Sequence, residues 1–379
     1  MMPTASTAPR AERGAIPSLD GIRAIAVALV FLAHSGLDRV VPGGLGVTVF
    51  FVLSGYLITT LTRVEHARTG AIDFRAFYLR RLLRLMPPLV IVVALAGVLS
   101  ALGVIGGGFT AGGLLAALLY AGNYHVIANH FAGLPAGLGV VWSLAIEEHY
   151  YLVYPPLAAL LLRVARVRWS VVLLVALCAA VLAWRCWLAL HGASVDHLTM
   201  ATDTRIDAIL VGCVMGLWHN PWLDAAPDDA PRRGATRAAA QAAFGLGLLL
   251  FSLAWRDEVF RVTARFTLQS VAIALLIHLA VTQAGRWPYR WLNTRPLVYL
   301  GTISYTVYLS HQLILLGLER HLPSWSWLGL TVAGAALTWA VAEPMRRWVE
   351  RPCAELRRRL HRDRPARTAE PGRLAAGTP

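Results

Sequence analysis

The sequence of 379 residues contains no lysine, so all 35 of its basic side chains are arginine. Charge of either sign is scarce at 15 %, against about 25 % in soluble globular domains. Cysteine is nearly absent: Cys178, Cys186, Cys213 and Cys353 stand singly. No two of them have the spacing of a metal site, and no disulfide frame is indicated, so no metal is expected. With 57 % apolar residues and a mean hydropathy of +0.56, these scarcities exclude a disordered chain, a disulfide-stapled secreted domain and an ordinary cytosolic enzyme. The net charge of +14 would suit a nucleic-acid partner only on a basic face of a soluble fold. Here the arginines punctuate long apolar stretches. The chain reads as an integral, multi-pass membrane protein whose surroundings are a lipid bilayer, with no nucleic acid.

A crossing helix needs about 20 predominantly apolar residues. Ten stretches qualify: 18–37, 46–62, 86–106, 139–162, 169–190, 205–219, 239–255, 266–284, 297–317 and 327–344. The first is read as a retained helix rather than a signal peptide, because Arg23 interrupts its apolar stretch. An eleventh stretch, 112–127, is short and broken by Asn123 and His125. The positive-inside rule decides its status. If it does not cross, 27 of the 35 arginines fall on the side of the N-terminus. If it crosses, 19 of those 27 move to the other side. The expectation is therefore an all-α polytopic bundle of ten spans with both termini cytoplasmic and a re-entrant or interfacial segment at 112–127. Residues 1–17 form a cytoplasmic arm, 18–350 the transmembrane domain and 351–379 a basic cytoplasmic tail. Tryptophans at the span ends, Trp184, Trp187, Trp287 and Trp291 among them, match an aromatic belt.

Charges inside hydrocarbon cost about 2.5–3.5 kcal/mol each on insertion scales, so each demands a reason. Arg23 and His34 lie in the first span, eleven residues apart. Eleven helical steps amount to three turns plus about 20°, so the two share a face about 16 Å apart along the axis. Asp20 stands three residues before Arg23 and can pair with it. The fourth span carries Ser143, Glu147, Glu148 and His149 in WSLAIEEHYY. Its carboxylates either face the bundle interior or are tied to Arg185 or Arg205. Arg205 and Asp207 open the sixth span and can pair with each other or cap the helix. Ser304, Tyr305, Tyr308 and His311 fall in the ninth span, and Glu343 precedes Arg346 and Arg347 at the end of the last. The basic turn Arg80, Arg81 and Arg84 enters the membrane in FYLRRLLRLMPP. It either holds phosphate through guanidinium forks or only fixes the loop inside against lipid headgroups.

Taken together, these segments resemble the integral-membrane acyltransferase family 3, the O-acetylases of surface glycans and some secondary metabolites. SLDGIRAIAVALVFLAH is similar to the family's opening helix, VFFVLSGYLIT to its second, FYLRRLLRLMPP to its Arg-x-x-Arg loop and WSLAIEEHYYLVYP to its Trp-Ser-Leu-x-x-Glu signature. TRIDAILVG, ISYTVYLSH and AEPMRR resemble later segments, and the likeness runs over about residues 18–350. His149-Tyr150 departs from a common Gln-Phe. The chain also ends too soon to hold the esterase domain of the SGNH type that some members carry.

The resemblance implies transfer of an acyl group, usually acetyl, from acyl-CoA to a hydroxyl in the bacterial cytoplasmic membrane. Acyl-CoA would be the co-substrate, held by Arg80, Arg81 and Arg84, with Arg23 as a further anchor or as a catalytic-site residue that orients the pantetheine and thioester. His34 would be the general base or carry the acyl group, and Glu147 would orient His34. Ser143, Glu148, Arg205, Asp207, Asp20, Tyr305 and His311 would be polar residues of the substrate site or its frame. The acceptor would be a carbohydrate hydroxyl, on a lipid-linked glycan or exopolysaccharide unit, or else a small metabolite such as a glycosylated macrolide. A proton-coupled transporter is the rival from another class, since membrane-embedded Arg, Glu and His also mark transport pathways. It calls for paired broken helices in two related halves, and 112–127 has no visible counterpart.

Overall fold

The computed structural model describes residues 16–164, 166–224 and 231–362. The expected arm at 1–17 and tail at 351–379 lie partly outside them, at 1–15 and 363–379. Among the described residues every regular element is helical. The helices are α1 Leu19–Leu32, α2 Gly43–Thr69, α3 Phe74–Ala101, α4 Ala111–Leu118, α5 Gly122–Asn129, α6 Val141–Val164, α7 Val167–Leu190, α8 Val195–Met200, α9 Thr202–Leu217, α10 Pro231–Ala254, α11 Glu258–Val262, α12 Ala264–Thr282, α13 Arg295–His321, α14 Trp327–Met345 and α15 Arg351–Arg362. Seven of the described helices are long and apolar enough to cross a membrane. This is an all-α bundle of an integral membrane protein. Each of the ten expected spans coincides with one helix. Of those outside the seven, α9 has only 16 residues, and α6 and α13 carry polar and charged groups, Glu147 and His311 among them.

Close approach without bulky side chains holds the centre together. α2 packs against α1, α6, α9 and α12. A Cβ at Gly55 of α2 would stand 1.9 Å from the Ile209 carbonyl oxygen, and one at Gly212 of α9 would stand 2.1 Å from that of Val52. Only hydrogen fits at either place, which is how small residues let membrane helices meet backbone to backbone. α13 meets α1 in the same way, with Gly301 against the Asp20 carbonyl. α10 packs on α12 and α14 on α13, both largely exposed on their outer faces.

The stretch 112–127 is not one helix. α4 and α5 have eight residues each, about 12 Å apiece, too short for a core of about 30 Å. The break falls at Tyr120, whose φ of 57° is left-handed. The pair lies against α6, and Asn123 donates to Thr202 Oγ1 at 3.0 Å.

Two double prolines shape the site. Pro155 and Pro156 sit inside α6 and cannot donate to the carbonyls four residues back. The Leu152 carbonyl left open by Pro156 accepts instead from the Tyr78 hydroxyl of α3 at 2.8 Å. Pro87 and Pro88 stand in α3 itself, just after the arginine cluster. The Tyr78 bond therefore fixes α3 against α6 one turn before Arg81.

Candidate active site

A cavity of about 820 Å³, counting its open mouth, lies among α1, α2, α3, α6 and α13. Arg23 of α1 and Arg81 and Arg84 of α3 reach it from one end of the bundle, with Glu147, Glu148 and Ser143 of α6 opposite. α13 contributes Ser304, Tyr305 and Tyr308, and the break after α4 contributes Tyr120. Val47, Phe50, Leu57, Ile58 and Leu85 make the rest apolar. Arg84 is exposed at the rim, whereas Arg81 and Arg23 are half-buried.

Each charge has a defined setting. Arg23 Nη1 is 2.8 Å from Asp20 Oδ1, the pair that their spacing predicts. Arg81 lies over the Tyr151 ring, 4.9 Å from its centroid. Tyr151 donates to Glu147 Oε2 at 2.8 Å, and Ser54 donates to the same oxygen at 2.9 Å. Arg80 turns to Glu65 at 3.1 Å and is not among the cavity residues. Glu148 Oε1 is buried with no hydrogen-bond partner, an open acceptor on the cavity wall.

His34 sits in a widened π turn, Ala33–Leu37, that continues α1. Its Nδ1 is 2.9 Å from His311 Nε2. His311 is fully buried, and its Nδ1 meets the carbonyls of Tyr308 at 2.7 Å and Val307 at 3.1 Å. Carbonyls only accept, so Nδ1 of His311 carries the proton and Nε2 accepts from His34 Nδ1–H. Nε2 of His34 is then the unprotonated nitrogen of the ring, on a side chain that is exposed. Between this pair and the cavity stands Tyr308, whose hydroxyl lies 2.7 Å from Ser143 Oγ. The expected orientation of His34 by Glu147 is corrected: Glu147 is held by Ser54 and Tyr151, and His311 bonds to His34.

Two further expectations change. Arg205 and Asp207 do not pair, because residues two apart on a helix point to opposite sides. Asp207 is bound by Arg185 at 3.0 and 3.1 Å, both side chains wholly buried, and by Thr267 at 2.6 Å. Arg205 donates to the Thr199 carbonyl and Thr48 Oγ1 and lies 3.8 Å from the Phe266 ring centroid. Neither residue lines the cavity, and neither Arg185 nor Arg205 takes Glu147 or Glu148 as its ion-pair partner. Glu343, by contrast, binds both Arg346 and Arg347 as their spacing predicts. Sequence reasoning missed Tyr151, Ser54 and Tyr120. The four-residue step from Glu147 to Tyr151 on one helix was a usable signal for the first.

A family model described as an acyltransferase domain matches residues 16–342. The chain belongs to this acyltransferase family. It is 30 % identical over 362 residues to the peptidoglycan O-acetyltransferase OatA of Listeria monocytogenes, covering 90 % of this chain and 56 % of that protein. It is 31 % identical over 312 residues to a Bacillus subtilis protein named "Putative peptidoglycan O-acetyltransferase YrhL", covering 78 % and 48 %. The chain spans about half the length of the curated relatives it matches. No solved structure matches it. The matched region contains every residue of the cavity together with His34 and His311.

Proposed function

We propose that this acyltransferase moves an acetyl group from acetyl-CoA to a carbohydrate hydroxyl, in a bacterial cytoplasmic membrane. The observation that carries the reading is a cavity lined by three arginines, with the pair of His34 and His311 just beyond Tyr308 of its wall. Coenzyme A is a polyanion with a long, mostly apolar arm. The guanidinium groups of Arg84, Arg81 and Arg23 suit its phosphates, the apolar wall suits the arm, and the open Glu148 oxygen suits an amide N–H.

Nε2 of His34 takes the proton of the acceptor hydroxyl as its oxygen attacks the thioester carbonyl. The new C–O bond forms, the C–S bond breaks, and the imidazolium returns its proton to the departing thiolate. His311 accepts from Nδ1–H throughout and holds the ring in the productive tautomer. Arg84 faces the cytoplasm in the ten-span arrangement, where acyl-CoA is found, and His34 lies toward the other face. A carbohydrate acceptor accords with the peptidoglycan named for the Listeria relative.

Purified full-length protein with labelled acetyl-CoA tests this. Label should pass to a glycan acceptor such as muropeptide chains or exopolysaccharide units, with coenzyme A released only when the acceptor is present. Release that ignores acceptors, or no release with any glycan or glycosylated macrolide, overturns the reading.

A further inference from the structure

Three helices carry the cavity wall from its arginines to the histidine pair in matching steps. On α13 the Tyr305 hydroxyl donates to the Leu85 carbonyl, beside Arg84, at 2.8 Å. Tyr308 follows about one turn on, and His311, bonded to His34, about one turn beyond that. α2 and α6 pass in the opposite sense. Ser54 of α2 and Glu147 of α6 are bonded to each other near Arg81, through the Tyr151 that lies under it. Phe50 and Ser143 stand four residues, about one turn, nearer the His34 end.

This middle level is closed. Phe50 meets Tyr308 edge to face, with ring centroids 6.1 Å apart and planes at 70°. The Tyr308 hydroxyl lies 2.7 Å from Ser143 Oγ, and each is 3.3 Å from the Val140 carbonyl. All three side chains line the cavity. On its other side Tyr308 faces the ring of His311, 5.8 Å away between centroids. Rings in edge-to-face contact leave no room for a carbon chain between them. Tyr308 and Ser143 are buried and tied by their hydroxyls, whereas Phe50 is half-buried and, as a hydrocarbon ring, is held by packing alone.

We propose that Phe50, Tyr308 and Ser143 form a sieve that limits the transferred group to acetyl, with Phe50 setting the limit. The sieve rests on the acyl-CoA reading above and adds the chain length to it. A donor held by its phosphates at Arg81 and Arg84 presents its acyl end to this layer. The thioester carbonyl has to come level with the layer before an acceptor oxygen activated by His34 can attack it. The substituent on that carbonyl then lies against the two rings. Methyl is the smallest alkyl group that can lie there. Each further methylene has to push a packed ring out of place, at a cost of about tenfold or more in rate.

The test measures kcat/KM of the purified full-length protein for acetyl-, propionyl- and butyryl-CoA, with the acceptor that takes label from acetyl-CoA. Wild type should lose about tenfold per added methylene. Phe50→Ala removes one ring of the layer, and its butyryl-to-acetyl ratio should rise by about 100-fold. Leu57→Ala enlarges the same cavity from the same helix, about two turns toward the arginines. It should weaken all three donors alike and keep the wild-type ratio. Equal use of the three donors by wild type overturns the sieve, as does an unchanged ratio in Phe50→Ala or an equal rise in Leu57→Ala. In each of those cases the donor reading stands. If no acyl-CoA of any length supports transfer, the donor reading falls and the sieve with it. Where Phe50→Ala does not accumulate, Phe50→Leu is read instead: a smaller rise in the ratio supports the sieve, and none overturns it.

Discussion

His34 and His311 form a directed pair: Nδ1–H of the exposed ring donates across 2.9 Å to Nε2 of the buried one. The direction follows from the carbonyls of Tyr308 and Val307, which require the proton of His311 on Nδ1. Assigned from these partners, the tautomers leave His34 with one lone pair, on Nε2. In the proposed reaction this buried histidine would do for His34 what a carboxylate does in a serine-protease triad, without adding a negative charge inside the membrane.

His311→Phe should lower kcat by about 10²-fold, at the low end for general-base catalysis, with the KM for acetyl-CoA unchanged. His311→Gln places an amide oxygen near the position of Nε2, so it should recover much of that loss. Steady-state kinetics on both variants checks the pair. An unchanged kcat in His311→Phe removes His311 from the mechanism.

Tyr151 joins the arginine end to the acidic wall, with its ring under Arg81 and its hydroxyl on Glu147. Tyr151→Phe keeps the ring and loses the hydroxyl, whereas Tyr151→Leu loses both. The KM for acetyl-CoA should rise slightly in the first. It should rise by about tenfold in the second, since a partly desolvated cation–π contact is worth between about 1 and about 2 kcal/mol. Equal KM values in the two variants would show that the ring does not place Arg81.

What the sequence makes legible here is whatever lies along one helix. The ten long helices, the Asp20–Arg23 pair and the binding of Glu343 by Arg346 and Arg347 all follow from hydropathy or from spacings of three and four. Arg23 and Glu147 stand out as candidates from their cost in hydrocarbon, whereas Arg81 and Arg84 lie before a span and become candidates for donor binding only through the family resemblance. The contacts that join distant helices were hidden. His311 bonds to His34 across 277 positions, and nothing in either segment announces that Glu147 is engaged by Ser54 and Tyr151. Asp207 reaches Arg185 on the neighbouring α7 rather than Arg205 on its own helix, because helix geometry turns the nearer arginine away.

Arg185 and Asp207 are both wholly buried, so either one alone becomes an uncompensated charge. Asp207→Asn or Arg185→Met should each cost roughly 3–5 kcal/mol, the usual price of breaking a buried pair. The double variant Arg185→Met with Asp207→Leu should be milder than either single one. Thermal unfolding in detergent measures this, and additive losses in the double variant would rule out a coupled pair.

Acid should act at the loop after α9. Partial burial opposes ionisation of Asp224, but the fork of Arg63 at 2.9 and 3.0 Å and the Asn220 N–H outweigh it and hold the carboxyl below its ordinary range. A depressed folded value means that this stabilisation is complete above the ordinary aspartate value of 3.8 and is lost as pH falls through the lower folded one. Asp224→Asn should therefore destabilise at pH 7 and converge with wild type in strong acid. A constant difference in melting temperature down to the acid limit would contradict the assignment.

The arrangement of α4 and α5 decides which face each loop occupies. Each of the two eight-residue helices is too short to cross by itself, and in the ten-span arrangement α6 re-enters from the side on which α3 ended. That arrangement predicts residues near 128 on the side opposite the arginine-rich loops, together with the His34 end of the site. In a background lacking Cys178, Cys186, Cys213 and Cys353, Ala128→Cys is exposed and should react with an impermeant maleimide on intact cells. Gly285→Cys, in an open loop with nothing near its Cβ position, should react only after permeabilisation. The reverse pattern would put the Arg84 mouth outside, away from cytoplasmic acyl-CoA, and the donor would have to come from elsewhere.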